Sequence, residues 1–141
     1  MNAKILCEVA RRTLAGTVSF PEIVRELHAA GVESYRVDYV TRTKTWYGEG
    51  GEVAVTPIPL ENLPPIEPEL DVSALRQNVR DSQTAGQVWK DFTFRAMAAG
   101  VANYTVYLRG RRVVYCGRQG DEHVEWFPGA GPMEPATASR G

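Results

Sequence analysis

The sequence predicts an α+β domain: an internal duplication of a helix–helix–three-strand unit, with a largely antiparallel sheet and the helices packed on its apolar face. Three observations predict it. The string AAGV occurs twice, at Ala29–Val32 and Ala98–Val101. An amphipathic helical stripe precedes each copy, and alternating strand patterns follow each copy. Around AAGV, Tyr35 and Val37 fall on Tyr104 and Val106 at one offset of 69 residues. One residue then drops out, so that Tyr47 falls on Tyr115. Val55 and Pro59 return to Val124 and Pro128 at the first offset, and upstream Phe20 falls on Trp89. Such a run of matches reads as duplication. Two copies are too few for a solenoid, so they are expected to form two halves of one domain about a pseudo-twofold axis.

The elements follow in chain order. Residues 3–14 read as a helix with Ile5, Leu6, Val9 and Ala10 apolar. Phe20, Ile23, Val24 and Leu27 form the stripe of a second helix. Ser19 and Glu22 cap its start, Pro21 fits its first turn, and Gly31 ends it. AAGV is therefore a helix-to-strand corner used twice. Tyr35, Val37 and Tyr39 alternate in a first strand, Lys44 to Tyr47 form a second, and Gly48–Gly51 turn into a third with Val53 and Val55. In the second copy, Asp71 or Ser73 caps a polar helix reaching about Ser82, and a further helix spans about Val88–Ala99. Strands are expected over Ala102–Arg109, Arg112–Cys116 and Glu122–Phe127. Whether they form one sheet or two facing sheets stays open.

The chain of 141 residues suits one domain, expected over residues 1–128. The repeats cover about 1–59 and 71–128. Between them, residues 60–70 form an extended connector, since prolines at 59, 64, 65 and 68 bar regular helix and sheet interior. The Pro- and Gly-rich residues 129–141 are expected to be a disordered tail.

With 16 basic and 17 acidic residues, the net charge of −1 gives no overall attraction to nucleic acid or anionic membrane. No run of about 18 apolar residues exists to span a bilayer, and the N-terminal stretch is no signal peptide. Cys7 and Cys116 are expected as reduced, partly buried thiols of a cytoplasmic protein. Arg118, close in sequence, would lower the Cys116 pKa.

Two clusters carry candidate chemistry. Asp121, His123 and Glu125 alternate on one strand and present potential metal or acid–base ligands to one face. The aligned places in the first repeat hold Glu52, Ala54 and Thr56, and the bland reading of the cluster is a solvated strand face. Arg109, Arg111, Arg112 and Arg118, interleaved with Tyr107 and Tyr115, gather the groups an anion or nucleic acid would need. A basic hairpin that keeps a strand edge soluble is the alternative. Most of the aromatic residues sit at duplicated, core-periodic positions. A cleft between the halves, lined by their rings, is the natural place for a small ligand.

Phe20-Pro21-Glu22, Ala29 to Tyr35, Val37-Asp38 and Gly117 to Pro128 together form a pattern. In it the chain resembles the uncharacterised YbcV-like family of bacteria and prophages, a domain of unknown function often labelled "phage envelope protein". The resemblance covers nearly the whole chain from Ala3 to Pro128 and implies no biochemical activity. No membrane segment supports the envelope label. The expectation is a non-enzymatic binding or accessory protein with no cofactor and no catalytic residue. Its expected partners are a small ligand in the inter-repeat cleft or a second copy in a homodimer, rather than nucleic acid or membrane. The alternatives are a metal or small-ligand site at Asp121, His123 and Glu125, and anion binding by the Arg109–Arg118 hairpin.

Overall fold

The computed structural model describes residues 1–16 and 19–131. Helix α1 (Ala3–Ala15) starts where the Asn2 side chain accepts hydrogen bonds from the Lys4 and Ile5 amides at 3.0 and 3.3 Å. Helix α2 (Phe20–Ala29) starts at Ser19, whose hydroxyl accepts from the Glu22 amide at 3.4 Å and donates to the Glu22 carboxylate at 2.9 Å. Asp71 caps α3 (Val72–Thr84), and α4 (Trp89–Ala98) lacks a side-chain cap. The strands are β1 (Val32–Asp38), β2 (Thr43–Gly48), β3 (Val53–Pro57), β4 (Val101–Tyr107), β5 (Arg112–Gly117) and β6 (Glu122–Trp126). All six form a single antiparallel sheet in the order β3-β2-β1-β4-β5-β6.

This order is two meanders joined back to back through β1 and β4. Every element of the first half recurs in the second at the same offset of 69 residues, as from Ala3 to Val72 and from Val53 to Glu122. The β1–β4 register pairs Tyr35 with Val106, Val37 with Tyr104 and Arg36 with Thr105. A twofold axis through the Arg36–Thr105 pair therefore exchanges the halves. The turn residues Arg42 and Arg111 share positive φ, at 61° and 57°. The hairpins consequently have equal length, and no residue drops out of the alignment. Trp46, and not Tyr47, is the counterpart of Tyr115: each pairs with the tyrosine of the central strand, Tyr35 or Tyr104. A one-residue slip would have turned Trp46 away from the core, where it is 1% exposed.

The helices cover one face of the sheet. Tyr35, Val37, Trp46, Tyr104, Val106, Val113 and Tyr115 point to them from the strands, and Leu6, Val9, Leu27, Leu75, Phe92 and Met97 meet them from the helices. The opposite face carries exposed Val53, Val55, Tyr107 and Val124. The connector is extended and packed, with Leu60, Leu63, Ile66 and Leu70 against the core. Asp71 N donates to Ala99 O at 2.7 Å, as Asn2 N does to Ala30 O at 3.2 Å. Gly129–Gly131 begin with a turn closed by the Ala130 amide on Phe127 O. The tail expected beyond Gly131 lies outside the described residues.

Candidate functional site

Between the helix layer and the sheet lies a cavity of about 650 Å³. That volume is in the range that holds a small molecule. Its floor is part of the helix-facing side of the sheet, a side that reads as two cross-strand rows. One row runs Thr56, Lys44, Val37, Tyr104, Tyr115, His123. The other runs Ala54, Trp46, Tyr35, Val106, Val113, Glu125. The pseudo-twofold axis maps one row onto the other, and four substitutions break the symmetry. Lys44 stands opposite Val113, Trp46 opposite Tyr115, Ala54 opposite His123 and Thr56 opposite Glu125. Val9, Ile23, Val88, Trp89 and Phe92 close the cavity from the helix side.

Lys44 is the residue the fold would not require. It is 7% exposed, on β2, at the same parity as Trp46. Its Nζ lies 4.1 Å from the centre of the Trp89 ring and 5.9 Å from that of Trp46. Hydrogen bonds hold both indoles: Trp46 Nε1 donates to Thr56 Oγ1 and Trp89 Nε1 donates to Tyr104 Oη, each at 3.0 Å. Among the described residues Lys44 has no carboxylate partner and no hydrogen bond. Burial alone lowers its pKa from 10.5 to about 8, because the ammonium loses its hydration.

The tyrosines of the floor are neutral. Burial raises Tyr35, Tyr39 and Tyr115 well above the ordinary phenol value and Tyr104 to about 12. Tyr39 Oη sits 3.5 Å from Thr93 Oγ1. The Tyr35 and Tyr115 hydroxyls line the cavity and, among the described residues, have no hydrogen-bond partner. The floor thus presents one ammonium and two phenols without a protein hydrogen-bond partner among the described residues, all able to donate.

The structure divides the clusters read from the sequence. His123 and Glu125 lie on the helix-facing side of β6 and pair with each other, Nε2 to Oε2 at 2.5 Å. Glu125 lines the cavity at the end remote from Lys44, four strand spacings or roughly 19 Å away. Asp121 sits exposed in the turn before β6. No group of three or more His, Cys, Asp and Glu side chains placed to share a metal ion occurs among the described residues.

The arginines do not form one patch. Arg109 and Arg111 occupy the β4–β5 turn, and Arg112, at the start of β5, stacks 5.3 Å from the Trp126 ring. Arg118 follows the far end of β5 and donates to Ile66 O of the connector at 3.1 Å. Sequence proximity placed it with the others, but an intervening strand carries it away. Cys116 also departs from expectation: burial and the Glu122 charge raise its pKa, and Arg118 is not among the groups that act on it. Both cysteines are free. No helix among the described residues is long and apolar enough to cross a membrane.

A family model described as "Protein of unknown function (DUF1398)" matches residues 10–125. No curated protein matches the chain.

Proposed function

The chain belongs to the DUF1398 family of proteins of unknown function, and from that premise we propose that it is a non-enzymatic receptor for a small, flat, largely apolar molecule. The ligand enters the cavity between helices and sheet. The observation that carries the reading is an aromatic-lined cavity of about 650 Å³ in so small a domain. A concave, largely apolar cleft with a few polar groups is the usual form of a small-molecule site. The rings of Tyr35, Trp46, Trp89, Phe92, Tyr104 and Tyr115 offer faces for stacking an aromatic guest. The reading includes an accessory role in a bacterium or prophage, supported by the resemblance carried by Gly117 to Pro128. It places the protein in a reducing, cytoplasmic setting, supported by the two free thiols.

Calorimetry with 2-naphthylmethanol tests the receptor reading. The expected result is one binding site per chain with a negative heat-capacity change, the mark of apolar surface leaving water. Absence of binding heat at millimolar probe over a range of temperatures would contradict it.

A further inference from the structure

We propose that the ligand is a carboxylic acid whose carboxylate is held by the Lys44 ammonium. This deepens the receptor reading and rests on it. Lys44 is buried, lines the cavity and has no counter-charge among the described residues. Its neighbours Trp46 and Trp89 offer ring faces, which attract a cation but accept no conventional hydrogen bond. An ammonium carries three donors. Tyr35, opposite Trp46 on the neighbouring strand, adds its ring 5.0 Å from that of Trp46 to the aromatic wall.

A buried ammonium with three donors and no counter-charge among the described residues selects a group that brings both negative charge and acceptor lone pairs. A carboxylate is such a group, and an alcohol, amide or amine is not. The rings beside Lys44 then fix the rest of the guest as planar and apolar. The symmetry-related position, Val113, has no charge, so the cavity has one anion-binding pole. At the other end stand Glu125 and His123.

The test compares 2-naphthoate with 2-naphthylmethanol by calorimetry at pH 6.5, where Lys44 is charged. In the parent protein the acid is expected to bind at least about tenfold more tightly than the alcohol. In Lys44→Met the alcohol is expected to keep its affinity and the preference for the acid to vanish. Raising the pH to 9.5 is expected to erode the acid preference in the parent alone, because Lys44 loses its proton. Equal affinity for the two probes in the parent would overturn the carboxylate assignment and leave the receptor reading standing. A preference for the acid that survives Lys44→Met would place the anion elsewhere and also overturn it. Failure of both probes to bind would overturn both readings.

Discussion

Lys44→Met is expected to stabilise the ligand-free protein by roughly 1–3 kcal/mol at pH 7, raising its melting temperature by several degrees. The parent buries an ammonium with no counter-ion among the described residues, and the thioether removes that cost while filling the space. The lost attraction to two indole faces offsets part of the gain. The pH dependence carries a sign. The folded pKa of Lys44, about 8, lies below its ordinary 10.5, so between these values the unfolded chain binds more protons than the folded one. Stability of the parent attributable to Lys44 therefore rises with pH across that window, by about 3 kcal/mol at most, and is absent below pH 8. Lys44→Met lacks this rise. Its advantage is expected to be largest near pH 7 and to shrink toward pH 10, as read by paired thermal melts. A Lys44→Met protein less stable than the parent at pH 7 would show that the lysine serves the fold. A residue that costs stability and is nonetheless present fits a functional role.

Gly100→Ala is expected to destabilise the protein by more than about 3 kcal/mol, whereas Gly31→Ala costs only about 1–2 kcal/mol. Both glycines end the AAGV corner with positive φ, 92° and 83°. At Gly31 the nearest atom to an added Cβ is Met1 Cα at 4.0 Å, so the cost is that of the backbone conformation. At Gly100 a Cβ would collide with the backbone carbonyl of Glu69, where the connector passes over the corner. Urea unfolding of the two variants measures the difference. Equal, small losses would mean that the connector does not press on this corner.

The recurrence of elements at one offset was legible because the corners and turns need glycine and the strands alternate. Helix boundaries, the Ser19 and Asp71 caps and the face of each strand follow from those signals. That the six strands make one sheet was not legible. It depends on β1 pairing with β4, a contact between halves that no local pattern encodes. β4 ends at Tyr107 rather than Arg109, because the chain turns directly after it and Arg111 N donates back to Tyr107 O at 2.8 Å.

The misplaced gap had a consequence for the site. Setting Tyr47 on Tyr115 puts Lys44 opposite Arg112, one exposed charge against another. At the uninterrupted offset Lys44 stands opposite Val113, and a charge in a core position becomes visible. The usable signal was the parity of β2: Trp46 faces the helices, and so must the residue two before it. His123 and Glu125 stood out because they are polar; Glu125 does line the cavity, and His123 pairs with it from the same side of β6. Arg118 could not be separated from Arg109, Arg111 and Arg112 without knowing that β5 runs between them.

The central claim is that an aromatic acid occupies the cavity with its carboxylate at Lys44. Isotope-filtered NOE spectroscopy of the carbon-13-labelled protein with 2-naphthoate tests it most directly. Contacts are expected from the naphthalene protons to the rings of Trp46, Trp89 and Tyr35 and to the Lys44 methylenes. Contacts confined to Val53, Val55 and Val124, on the open face of the sheet, would contradict it.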